Sequence, residues 1–190
     1  MRTSALVLLA ASALLLTGCG VAVPVETVTV TATPSPTATA SGPLSGSPVG
    51  TTCDDLVPPP VMQSMHPGYT IDAKHVDDEG EWQDIKNMGG VVCSWGDGGS
   101  QGDLVLGYAH PDAASLTAIE AKFAADSTYA QNDAFGNPPE IIGYFGQLGG
   151  VPDAEVFIGG YWITVSSNLF ASADDVIPII NSVNQVIPQA

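Results

Sequence analysis

Positive charge is nearly absent from this chain: four Lys and Arg stand against 20 Asp and Glu in 190 residues. Nucleic-acid binding needs Lys and Arg to displace counterions along the phosphates, so that class is excluded. A strongly acidic domain is also repelled by an anionic bilayer. Long apolar runs are missing too. Ala5 to Leu16 is an apolar stretch of about twelve residues, short of the roughly 20 a spanning helix needs, and no run of 18 or more follows it. Cysteine is scarce, with only Cys19, Cys53 and Cys93. The three histidines, His66, His75 and His110, are scattered, each beside a turn. A structural zinc wants four ligands, so no metal site and no cofactor are expected. Neither a Gly-x-Ser-x-Gly elbow nor a phosphate loop ending in Gly-Lys-Ser/Thr occurs. Ser64 and His66 stand two apart, but beside a helix breaker they read as a helix end, and no residue is assigned a catalytic role.

The N-terminus does carry a pattern. Arg2 is a thin basic region, Ala5 to Leu16 the apolar region, and Gly18 the small residue that signal cleavage requires. Leu16-Thr17-Gly18-Cys19 resembles the lipobox of bacterial lipoproteins. The resemblance covers residues 1–19 and implies a signal peptide over 1–18, a thioether-linked diacylglycerol on Cys19, and cleavage just before that cysteine. Two or more acyl chains hold a protein stably on a membrane without any spanning segment. The implied location is the extracytoplasmic face of the cell membrane.

Residues 19–50 then read as a tether. Val25 to Gly42 is rich in Thr, Ser, Pro and Ala and has no aromatic residue, so it cannot bury enough apolar area to offset the entropy of ordering. Some 30 residues span roughly 95 Å if extended and nearer 30 Å as a flexible coil. The composition also suits O-glycosylation. After cleavage, Lys74, Lys86 and Lys122 face 20 acids, a net charge of −17. Lipid, rather than surface attraction, therefore has to supply attachment. With Cys19 given to lipid, Cys53 and Cys93 remain, and in an oxidising compartment a disulfide between them is the default.

Residues 51–190 are enough for one globular domain. A short helix is expected from the prolines at 58–60 through Met65. Residues 69–90 are polar, with Asp77-Asp78-Glu79 in a loop and no regular element assigned. Val91 to Trp95 and Asp103 to Tyr108 read as a hairpin around a Gly-rich turn. A helix follows from Pro111 to about Ser127, with Leu116, Ile119 and Phe123 on one face. Ile141–Phe145, Glu155–Ile158 and Tyr161–Ser166 read as strands, the last two joined by Gly159-Gly160. A final helix begins at Ser172 with the stripe Val176, Ile180, Val183 and Ile187. Neighbouring strands joined by tight turns predict an antiparallel sheet, and one apolar stripe per helix predicts helices mainly on one face. The expected class is α+β with one disulfide, joining the first helix to the first hairpin.

Cys53-Asp54-Asp55-Leu56, followed by Cys93-Ser94-Trp95 in a strand, is similar to a group of small uncharacterised actinobacterial lipoproteins. These share a Cys-Asp-x-Leu opening, a Cys-x-Trp strand and a Ser/Thr/Pro tether. That resemblance implies no activity. Two further features invite a functional reading. Asp72, Asp77, Asp78, Glu79, Glu81 and Asp84 form an oxygen-rich stretch, and Asp97 and Asp103 flank a Gly-rich loop. Neither matches a calcium-loop spacing, and both read as solvated. Trp82, Trp95, Trp162, Tyr108 and Tyr161 could form a sugar-stacking platform, but Tyr161 and Trp162 must point to opposite faces of a strand. Trp95 reads as core and Trp82 as the exposed aromatic. The expected role is a lipid-anchored envelope protein, a binding or structural module for a cell-wall or protein partner. The alternative is an envelope hydrolase using acids such as those at 72–84.

Overall fold

Strand-forming runs that alternate side by side dominate the second half of the chain, and they pair as their turns dictate. The computed structural model describes residues 42–72, 79–98, 103–137 and 139–188. The expected signal peptide, Cys19, most of the expected tether, His75, Asp77, Asp78 and the tip of the Gly-rich loop lie outside the described residues.

The elements in chain order are β1 (Gly46–Ser47), α1 (Cys53–Leu56), α2 (Pro59–Met65), β2 (Thr70–Ile71), α3 (Gly80–Asn87), β3 (Val91–Gly96), β4 (Leu104–Pro111), α4 (Ala113–Ala125), β5 (Ala130–Gln131), β6 (Ile141–Leu148), β7 (Val151–Ile158), β8 (Tyr161–Ser167) and α5 (Ile177–Asn184). Short 3₁₀ turns lie at Asp133–Phe135 and Ala173–Asp175. Every strand pair is antiparallel. The sheet runs β2-β3-β4-β8-β7-β6-β5, with β1 on the end of β4. The meander β6-β7-β8 uses two Gly-Gly turns, Gly149-Gly150 and Gly159-Gly160, all four at positive φ, the conformation a tight hairpin demands. The pairing of β4 with β8 then joins the first hairpin to that meander.

The class is α+β, as the patterning predicts. The larger hydrophobic cluster lies under α1, α2 and α5, where Leu56, Met62, Leu106, Ile163, Ile179 and Val183 meet. The stripe expected on the last helix, Val176, Ile180, Val183 and Ile187, is buried in it. Ser182 Oγ donates to the Leu56 carbonyl at 2.8 Å, tying α5 to the end of α1. Cys53 and Cys93 are bonded, with Cα atoms 5.7 Å apart, so the disulfide fixes α1 to β3.

Two findings differ from expectation. Residues 80–87, read as part of a polar stretch with no helix assigned, form α3. Its acid-rich surface hid a short apolar face of Trp82, Ile85 and Met88, and α3 packs with α4 on the opposite side of the sheet. The end of the expected tether is also seated on the domain. The Asp112 N–H donates to the Ser45 carbonyl, Val49 N–H donates to Gly89 O, and β1 pairs with Pro111 and His110.

Candidate functional site: a buried carboxylate cluster

Strand β7 carries Asp153 and Glu155 two residues apart, so both carboxylates leave the same face of the sheet. That face is the one α3 and α4 cover. Neither residue has any exposed surface. The strand register places Asp153 beside Ser166 of β8 and Gly146 of β6, and Glu155 beside Thr164 and Tyr144. Glu81 comes down from the first turn of α3 and is 5% exposed. One oxygen from each of Glu81, Asp153 and Glu155 lies within 4.8 Å of the others.

Glycines make this convergence possible. A Cβ on Gly107 would meet Ile85 Cδ1 at 2.2 Å and Thr164 Cγ2 at 2.7 Å. The bare backbone there lets α3 settle onto the sheet next to Thr164. A Cβ on Gly146 would meet the Thr128 carbonyl at 2.4 Å and the Tyr129 ring at 2.7 Å. The gap lets Tyr129 lie over β6 and reach Asp153.

Donors hold the outer oxygens of the strand pair. Tyr129 Oη donates to Asp153 Oδ2 at 2.8 Å, and Trp162 Nε1 donates to Glu155 Oε2 at 2.5 Å. Thr164 Oγ1 stands 3.5 Å from Asp153 Oδ1. Three oxygens of the cluster have no donor: Glu81 Oε1, Glu81 Oε2 and Glu155 Oε1 are buried and unpartnered. Glu81 and Glu155 face one another as two acceptors, an arrangement satisfied only by a proton or a cation between them. Phe123 of α4 roofs the neighbouring Trp162 and Phe157, with ring centroids 6.4 Å away in each case.

Burial governs the electrostatics. It pushes the Glu81 carboxyl up to about 7, with the Asp153 charge adding to the effect and Lys122 opposing it. It pushes Asp153 up to about 6, against the hydrogen bonds from its neighbours. Glu155 is driven well above the carboxylate range by burial and then by the charges of Asp153 and Glu81. The Tyr129 phenol is raised by burial and by the same two strand carboxylates. Three acids packed in a low-dielectric site cannot all ionise unaided. The arrangement can therefore hold shared protons or bind a cation.

Of the residues singled out from sequence, only Glu81 and Trp162 fall in the cluster among the described residues. The Ser64 hydroxyl donates to the Val61 carbonyl at 2.7 Å inside α2, and His66 packs against Tyr69, so no nucleophile–base pair forms. Trp95 is core, as expected, and Tyr161 and Trp162 do point to opposite faces. Trp82 is not the exposed aromatic: it is half-buried against the α3–α4 cluster. Tyr161 stacks with Tyr108 at 5.1 Å and with His110 at 4.5 Å, beside a recess of about 200 Å³ that also includes Val49 and Thr51. An apolar groove of about 190 Å³ runs between Met62, Tyr69, Ile71 and Trp95. Asp153 was missed. The available signal was two acids at i and i+2 inside a strand otherwise made of Val, Pro, Ala, Phe and Ile. Compared with protein-family models, curated proteins and solved structures, the chain matches none.

Proposed function

We propose that this protein is a lipid-anchored, extracytoplasmic component of a bacterial cell envelope. In this reading Cys19 carries a diacylglycerol, the segment after it is a spacer, and the α+β domain is a non-catalytic binding or structural module for a cell-wall or protein partner. The observation that carries it is the Cys53–Cys93 disulfide. Such bonds form and persist in oxidising compartments, and this pairing leaves Cys19 as the remaining cysteine of three. The net charge supports a partner other than nucleic acid. Replacing Cys19 by Ala should release the protein from the membrane fraction and abolish acyl labelling. Undiminished labelling of Cys19→Ala would contradict the anchor.

One observation favours a hydrolase as the second reading: Asp153 and Glu155 are paired, desolvated carboxyl groups. Glycosidase acids, however, flank a cleft that a sugar enters, and these two have no exposed surface. That enclosure supports the non-catalytic reading. Turnover of envelope polysaccharide by the wild type that disappears in Asp153→Asn would reverse the preference.

A further inference from the structure

We propose that Glu81, Asp153 and Glu155 form a binding site for a hard divalent cation, with calcium as its probe, enclosed between α3 and strand β7. Three observations carry the assignment, and none of them depends on where the protein resides.

The first is the unpartnered side chain. Glu81 is 5% exposed, it is aimed from α3 at the two strand carboxylates, and neither of its oxygens has a donor. Glu155 Oε1 is buried and equally unpartnered. A bridging proton satisfies one pair of oxygens, whereas a cation at the centre satisfies all three residues at once. The ligand set is oxygen only, the chemistry of Ca²⁺, Mg²⁺ and Mn²⁺ rather than of zinc or copper.

The second is size. The three ligand oxygens lie within 4.8 Å of one another. Ca–O distances of about 2.3–2.6 Å require a triangle with edges of about 4.0–4.5 Å around a central ion. Mg–O distances of about 2.0–2.1 Å in a strict octahedron give shorter edges of about 2.9 Å. Both sets of edges lie within the observed limit, so the spacing admits a divalent ion, and the flexible coordination of calcium accommodates three fixed carboxylates better than the strict octahedron of magnesium.

The third is orientation. Trp162 and Tyr129 each donate to one oxygen of Glu155 and Asp153 and so fix the orientation of both carboxylates, leaving Glu155 Oε1 without a donor. Metal-ligating carboxylates are held in the same way by outer hydrogen bonds. Three carboxylates carry −3. A divalent ion offsets most of that charge, while Lys122 and Asp84 act on Glu81 from nearby in opposite senses. Glu81 and the half-buried Tyr129 are the least enclosed members, so the way in lies beside them.

The test uses the full chain, stripped with chelator and returned to calcium at constant ionic strength. The melting temperature should rise by roughly 5–10 °C when calcium exceeds its dissociation constant about a hundredfold. Terbium, a calcium-sized probe, should give luminescence sensitised by Trp162 and Tyr129, saturate near one equivalent, and be displaced by calcium. Both signals should vanish in the double variant Asp153→Asn, Glu155→Gln. Should that variant fail to fold, Glu81→Gln leaves the strand pair in place and must weaken calcium at least about tenfold, the effect expected for a lost ligand contact. The proposal is overturned if calcium up to about 10 mM, above the weakest extracellular calcium modules, leaves the melting temperature unchanged. It is equally overturned if both signals survive in the variants, which would place binding on the acidic surface.

Discussion

Without a cation, Glu155→Gln should stabilise this protein at high pH and not at low pH. The substitution keeps the shape of the side chain and removes one carboxyl group of three. The amide oxygen still accepts from Trp162, and the amide nitrogen can donate into Glu81, whose oxygens otherwise face only acceptors. The folded pKa values of Glu81 and Asp153 lie above their ordinary ones, so the native state binds more protons than the unfolded chain. Stability is therefore greatest near pH 4. It falls as pH rises toward about 6 for Asp153 and about 7 for Glu81, and stays low beyond. Raising Glu81 from 4.5 to about 7 corresponds to about 3 kcal/mol at about 1.36 kcal/mol per pH unit. Asp153 alone gives a similar figure, and because the two repel one another the sum is not simply additive. We expect wild type in chelator to lose about 3–5 kcal/mol between pH 4 and pH 8. At pH 8 the unfolded chain ionises Glu155 while burial in the fold resists that ionisation, and the neutral amide removes this cost. The variant should be about 1–3 kcal/mol more stable than wild type at pH 8 and within about 1 kcal/mol at pH 4. Urea unfolding with chelator at both pH values reads the difference directly. A variant as destabilised at pH 8 as at pH 4 would refute the electrostatic account of the cluster.

Two further outcomes follow from the fold. Reducing the Cys53–Cys93 bond, which closes a loop of 40 residues, should cost about 4 kcal/mol and lower the urea midpoint; an unchanged midpoint in reductant would contradict a structural role. Gly107→Ala should cost about 1–3 kcal/mol, because the new methyl would strike Ile85 and Thr164 and lift α3 from the sheet. Because Glu81 rides on α3, the same variant should weaken calcium binding, and full stability in Gly107→Ala would refute the close seating of α3.

Much of the architecture was legible because its signals are local. The hairpin glycines, the β7-β8 turn and the stripe on α5 are each set by residues within one or two turns of chain. The disulfide was legible from counting. Helix α3 was not, because Glu81, Asp84 and Lys86 give residues 80–87 the polarity of a loop while Ile85 and Trp82 alone carry its buried face. The cluster was legible only in halves. Glu81 stood out within an acidic stretch, and its partners lie some 70 residues downstream in another strand. What joins them is the pairing of β4 with β8, which sets the first hairpin beside the meander, and the two glycines that let α3 and Tyr129 descend. None of that long-range register has a local signature.

The most direct test of a cation held at this cluster is a crystal of the protein soaked in manganese, with anomalous diffraction locating the metal. A single strong peak between Glu81, Asp153 and Glu155, within about 2.0–2.6 Å of an oxygen from each, is the expected result. An ordered cluster without a peak, its carboxyl oxygens drawn to about 2.5–2.7 Å across shared protons, would contradict it.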